Sequence, residues 1–200
     1  LYACLPRAAE PFDTFALHGA TAAWMEAARH GYGFVTLHRP SNVDDPVQLG
    51  ALLGVLAELS GKIPLLFAMH PRTRARIESA SAAPLPAHNL LFTPPLSYLR
   101  TLGITRQARL VITDSGGLQE ETTALGVQCL TVRDNTERPI TITEGTNTLV
   151  GADANKLRTA ALEVLSGRGK SGQTPELWDG RAAERVAVHV LGYLEQTRAA

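Results

Sequence analysis

Neither sign of charge is in excess in this sequence: 19 Lys and Arg residues balance 19 Asp and Glu, so the formal net charge is zero. The arginines are scattered and aromatic residues make up only 6% of the chain, so nothing resembles the basic footprint of a nucleic-acid binder. No apolar run approaches the roughly 18 residues that a membrane span requires. Cysteine is scarce as well. Cys4 and Cys129 lie far apart without CxxC spacing, which argues against a thiolate zinc site and fits a reducing compartment, read here as the cytoplasm. The HExxH spacing of a zinc hydrolase and the GxSxG elbow of a serine hydrolase are both missing. So is an initiating methionine: the chain opens at Leu1 with no signal-like segment, as an excised piece of a longer protein would.

What is present centres on Asp114-Ser115-Gly116-Gly117-Leu118-Gln119-Glu120-Glu121. The apolar run Arg109 to Thr113 precedes it and reads as a buried parallel strand. Leu118, Thr122 and Leu125 follow at helical spacing, and Gly126 can close that helix. Ser115 suits the N-cap, and Gly116 and Gly117 carry no side chains to hold a ligand off the backbone N–H groups. Free N–H groups and the positive end of the helix dipole form an anion site, although two glycines before a helix also occur as a plain tight turn. Glu121 borders the buried stripe one turn in and needs a polar partner, which a sugar diol or a nearby arginine would supply.

The rest of the chain alternates strands with helices. Residues 1–32 form an Ala-rich lead-in with a helix over Thr21 to His30. Strands are expected at Gly33 to Leu37, Ile63 to Met69, Asn89 to Thr93, Val127 to Val132 and Asn147 to Val150. Between them come a helix from Asp45-Pro46 to Gly61 with leucines at 49, 52, 53, 56 and 59, and a short Arg-rich helix from Pro71 to Ser79. A Pro/Ala loop follows over 81–88, then a helix over Ser97 to Arg106, and two helices over Asn155 to Leu165 and Ala182 to Glu195 close the chain. This order implies an α/β domain, a doubly wound parallel sheet with right-handed crossovers over 33–200. On that fold His38, His70, Ser115 and Arg133 all fall at carboxyl ends of strands, the edge where open sheets bind ligands.

Each candidate has a plainer reading beside the chemical one. His38 and His70 suit acid, base or phosphate-donor roles, or are half-buried histidines bonded to backbone. As a metal pair they lack a third ligand at recognisable spacing, and neither metal nor cofactor is expected. Arg39 is a phosphate ligand or a surface charge. Arg138, in a loop stiffened by Pro139, can bridge two phosphates or pair with Glu137 or Glu121.

Three ordered motifs carry a resemblance: Thr36-Leu37-His38-Arg39-Pro40-Ser41-Asn42-Val43-Asp44, the run Asp114 to Glu121, and Thr136-Glu137-Arg138-Pro139 with Gly145 to Gly151. Together, over Gly33 to Gly151 and again at Trp178-Asp179-Gly180, the chain resembles the non-hydrolysing UDP-N-acetylglucosamine 2-epimerases. The resemblance implies the C-terminal half of a glycosyltransferase-B type fold, with the catalytic N-terminal domain absent from this chain. It implies interconversion of UDP-GlcNAc and UDP-ManNAc by anti elimination of UDP and re-addition, as in cell-envelope polysaccharide synthesis. Ser115, Gly116 and Gly117 would then hold the diphosphate, Glu121 the ribose hydroxyls and Arg138 the phosphates, with His38 beside the diphosphate and sugar. Arg39 and His70 match positions implicated in allosteric activation, and family members are generally homodimers. The chain departs from the family at Ser41, often Glu; at Thr101, often an aromatic residue near the uracil; and at Ile140, usually Glu. Alternatives that keep the fold are a nucleotide-sugar glycosyltransferase, a hydrolysing epimerase and a stand-alone binding module.

Overall fold

The computed structural model describes residues 1–79 and 89–198, and the loop expected over 81–88 lies outside the described residues. After a 3-10 turn at Tyr2–Arg7, the elements begin with α1 (Pro11–Leu17), α2 (Ala22–Ala28), β1 (Gly33–Thr36), α3 (Pro40–Val43), α4 (Pro46–Ser60), β2 (Leu65–Ala68) and α5 (Pro71–Ser79). They continue with β3 (Leu90–Thr93), α6 (Tyr98–Gln107), β4 (Leu110–Thr113), α7 (Gly116–Leu125), β5 (Cys129–Thr131) and α8 (Ile140–Thr143). The last are β6 (Asn147–Leu149), α9 (Ala154–Leu165) and α10 (Ala182–Arg198). Among the described residues the six strands form one sheet in the order β3-β2-β1-β4-β5-β6, every pair parallel. The fold is Rossmann-like, and its order reverses between β1 and β4.

Alternation of side chains along each strand builds two cores. Val35, Phe67, Ile112 and Leu130 face one layer, where the leucines of α4 and Leu157 and Ala161 of α9 cover them. Phe34, Leu66, Val111 and Cys129 face the other, against Ile104 of α6 and Leu118 of α7. The start of α4 follows the sequence signal, since the Asp45 side chain accepts the N–H of Val47 and Pro46 occupies the first turn.

The lead-in is more structured than its alanine content suggests. Pro11 starts α1 in the first helical turn, and α1 and α2 bring Phe15 and Trp24 into the second core. Phe15 meets Trp24 and Tyr32 edge to face at centroid distances of 4.8 and 4.9 Å. Trp24 Nε1 donates to the Asn89 carbonyl at 3.0 Å and the Tyr32 hydroxyl to the Ile104 carbonyl at 2.8 Å, so both polar tips are satisfied. These bonds tie residues 11–32 to the start of edge strand β3 and to α6, in the same layer.

α10 is different. Val186, Val188, Val190, Leu191, Tyr193 and Leu194 on it are all exposed. No helix among the described residues is long and apolar enough to cross a membrane.

Candidate functional site

The sheet order places a crevice above the carboxyl ends of β1 and β4. The two strands run in register, with Thr36 opposite Thr113, so the loops that follow them emerge side by side. One loop carries His38 and Arg39, the other Asp114 and Ser115.

Asp114 is completely buried, where a carboxylate survives only if its lone pairs are filled. They are filled from the opposite loop. Its Oδ2 accepts the Arg39 N–H at 2.8 Å, the His38 N–H at 3.0 Å and Asn42 Nδ2 at 3.0 Å. Its Oδ1 lies 2.9 Å from His38 Nδ1. Burial by itself raises the Asp114 carboxyl, but the bonds from His38, Arg39 and Asn42 together outweigh it and hold the group below its usual value. His38 responds in the opposite sense: its bond to Asp114 raises the imidazole above its ordinary value, against partial burial. Asn42, also fully buried, spends its second N–H on the Val132 carbonyl at 2.9 Å, which fastens this loop to the end of β5 as well.

α7 opens on the other wall. Ser115 has extended N-cap angles, yet its side chain makes no capping bond, so the first-turn N–H groups at Gly116 and Gly117 are left uncapped. Neither glycine has a left-handed φ, and a Cβ added to either would meet nothing within 4 Å. The fold itself does not require glycine at these two positions. The space at Gly117, though not that at Gly116, belongs to a cavity of about 410 Å³ lined also by Ser115, Glu121, His38 and His70, with Phe34, Ala68, Pro95 and Leu96 as its apolar side. Burial raises the Glu121 carboxyl above its usual value, opposed by the Tyr98 hydroxyl near it.

Four expected residues therefore share one cavity with Gly117: His38, His70, Ser115 and Glu121. The His38 and His70 rings stand 5.5 Å apart, and His70 Nδ1 accepts the Arg72 N–H at 3.2 Å. Two expected arginines point elsewhere. Arg39 Nε donates to the Asp114 carbonyl at 3.2 Å, and its guanidinium lies 3.9 Å from Glu137. Arg138 pairs with Glu120 at 2.7 Å, the neighbour of the Glu121 expected as a possible partner. Its loop is fixed nonetheless: Arg133 grips Glu137 bidentately at 2.6 and 2.7 Å, and the Thr136 hydroxyl donates to Gln119 on α7 at 2.6 Å. Asp114, Asn42, Gln119 and Tyr98 are the contributors that the sequence reading did not single out. An aspartate between a buried strand and an N-cap, facing a strand that ends in His-Arg, was the available signal for the first.

With this geometry in hand, likeness to known proteins is specific. The family model for UDP-N-acetylglucosamine 2-epimerase matches residues 12–191. A UDP-N-acetylglucosamine 2-epimerase of Methanocaldococcus jannaschii is 36% identical over 167 residues, covering 81% of this chain and 44% of that protein. A UDP-2,3-diacetamido-2,3-dideoxy-D-glucuronate 2-epimerase of Pseudomonas aeruginosa is 35% identical over 82% of this chain and 45% of its own length. Among solved structures, M. jannaschii UDP-GlcNAc 2-epimerase in complex with UDP-GlcNAc and UDP overlays with a TM-score of 0.69 at 30% identity, covering 92% of this chain and 52% of that one. The chain spans less than half the length of these curated relatives.

Proposed function

Since the chain belongs to the UDP-N-acetylglucosamine 2-epimerase family, we propose that it is the UDP-binding half of an enzyme that interconverts UDP-GlcNAc and UDP-ManNAc. The observation that carries this reading is the uncapped, side-chain-free opening of α7 in one cavity with Glu121 and His38. The amides of Gly116 and Gly117 and the Ser115 hydroxyl meet the diphosphate, and Glu121 takes the ribose hydroxyls. Arg138 reaches the phosphates on leaving Glu120.

In the proposed reaction a proton leaves C2, the C1–O bond breaks, and UDP departs with the bonding electrons to leave a 2-acetamidoglucal. Re-addition of UDP at C1 with protonation of C2 from the opposite face gives the epimer. This half stabilises negative charge as it grows on the leaving UDP, which is electrostatic catalysis by groups already in place. The groups that move the C2 proton are assigned to the other half of a full-length protein, so the chain alone binds UDP without turnover.

Calorimetric titration of the folded chain with UDP tests the first part, and absence of heat at millimolar nucleotide removes it. Release of UDP-ManNAc from UDP-GlcNAc by this chain alone would refute the division of labour. A UDP sugar is named for both relatives above, so the sugar itself is read from product analysis with a protein of their full length. UDP-ManNAc formed without an acceptor supports the epimerase. UDP released only with an acceptor indicates a glycosyltransferase, and free ManNAc with UDP indicates a hydrolysing epimerase.

A further inference from the structure

Asp114 is a charged group buried at the centre of the crevice, and it serves a neighbour rather than the cavity. Its Oδ2 accepts three donors: two backbone N–H groups, of His38 and Arg39, and Asn42 Nδ2. Its Oδ1 lies 2.9 Å from the His38 ring nitrogen Nδ1 and accepts a longer bond of 3.2 Å from the His38 N–H. The carboxylate therefore fixes both the backbone that carries His38 and the direction of its imidazole. With Nδ1 committed, Nε2 is the ring nitrogen without a protein partner among the described residues, and His38 lines the cavity that Gly117 and Glu121 share.

We propose that Asp114 is the positioning residue of this site, holding His38 as an imidazolium with Nδ1–H on the buried carboxylate and Nε2–H presented to the departing diphosphate. A neutral imidazole with Nδ1–H on Asp114 would offer only a lone pair at Nε2, which phosphate oxygens repel. The doubly protonated ring offers a charge-assisted donor that strengthens as charge collects on the phosphate oxygen, with no proton leaving the ring. The raised protonation of His38, caused first by its bond to Asp114, points the same way. The titratable and charged groups around His38 are Asp114 at the end of β4, Arg39 in its own loop, His70 at the end of β2, and Tyr98 and Glu121 across the cavity. Asp114 is the carboxylate that touches the ring. The ligand in this proposal rests on the nucleotide reading; the state of His38 does not.

Asp114→Asn separates the roles within one residue. Its amide oxygen can replace Oδ2 and keep the three loop bonds, while its NH₂ replaces Oδ1 and donates toward Nδ1, which turns the ring into the neutral Nε2–H tautomer. Nitrogen-15 NMR of histidine-labelled chain, with His38→Gln to assign the resonance, reads this directly. Expected for the native chain is a His38 ring protonated on both nitrogens at neutral pH and titrating above the ordinary imidazole value of about 6.5. Expected for the variant is a drop of the His38 titration below its native position and a loss of UDP affinity at pH 7 that matches His38→Gln within about twofold. His38 titrating identically in both chains overturns the pairing. A native His38 that is neutral at pH 7 with a bare Nδ1 overturns it even if Asp114→Asn does not fold. A native imidazolium together with unchanged UDP affinity in His38→Gln overturns the role toward the diphosphate, whereas no UDP binding by the native chain overturns that role and the nucleotide reading together.

Discussion

Replacing Gly117 by alanine adds a single methyl group at the mouth of α7, and the structure assigns opposite signs to its effects on folding and on binding. The added Cβ meets no atom within 4 Å and the residue does not have a left-handed φ, so the fold accepts it without strain. Removing glycine's freedom in the unfolded chain stabilises by about 0.4–1 kcal/mol at such a site. For a chain of this size that is a rise in Tm of about 1–4 °C. The methyl group enters the space where the diphosphate would approach the Gly117 N–H. Loss of one charge-assisted hydrogen bond costs about 1.5–3 kcal/mol, or roughly ten- to a hundredfold in Kd. Thermal denaturation and calorimetric titration with UDP on the same preparation measure both. Gly103→Ala is the contrasting control, since its Cβ would lie 1.8 Å from the Ala9 carbonyl oxygen and must destabilise without touching the cavity. Should Gly117→Ala bind UDP within about twofold of the native chain while remaining folded, the amides at the opening of α7 do not hold the phosphates.

Glu121→Gln leaves stability unchanged or raises it, because burial disfavours the charge, and weakens UDP by about 1.5–3 kcal/mol. The sharper reading is the ratio of UDP to 2′-deoxy-UDP affinity, which the substitution should collapse toward one if Glu121 grips the ribose. Phe15→Ala removes a completely buried ring from the contact with Trp24 and Tyr32 and should cost about 3–5 kcal/mol by urea denaturation; a loss below about 1 kcal/mol would mean that residues 11–17 are not part of the folded core. The Asp114–His38 pair also sets a pH window. Asp114, held low, contributes stability that is present above the ordinary carboxylate value of about 4 and lost as pH falls through its folded value. His38, held high, contributes stability that is complete below about pH 6.5 and lost as pH rises through its folded value. The gap in urea midpoint between the native chain and His38→Gln should therefore be widest between the ordinary values of about 4 and 6.5 and shrink as pH rises through the folded value of His38; a gap that widens with pH above about 6.5 has the wrong sign.

Most of the architecture is legible in the sequence because it rests on local pattern. The helix expected over Pro71 to Ser79 is observed with those limits, and the leucine stripe of α4 is buried as its spacing requires. The strands end up to two residues short of the expected limits, since flanking residues such as Leu37 and Val132 are buried and apolar but lie beyond the last paired positions. α1, α3 and α8 were not expected. Two of them are four residues long and carry no helical period, and α1 is signalled only by Glu10-Pro11 in a segment whose alanines suit many environments. In the site, residues presented by the strand ends could be placed from topology. What Arg138 pairs with depends on how the loop after β5 folds back onto α7, through Thr136 and Gln119, and one-dimensional spacing does not contain that contact.

The same limit applies to Asp114, although it sits inside the most distinctive motif. A carboxylate is ordinarily kept out of a core, and here it stands fully buried between a strand of Leu, Val, Ile and Thr and a helix of middling polarity. Such a local breach of the usual rules is tolerated when donors arrive from elsewhere, and they come from residues 38, 39 and 42, more than 70 positions away in sequence. β1 and β4 are neighbours only because the strand order reverses between them, so the partner of Asp114 is set by topology and not by its own stretch. The reversal that opens the crevice for a ligand also brings to it the carboxylate that lies against the His38 ring. In consequence, any substitution that breaks the Asp114 contacts should disturb the shape of the β1 loop and the charge of its histidine together, whereas the isosteric asparagine separates them.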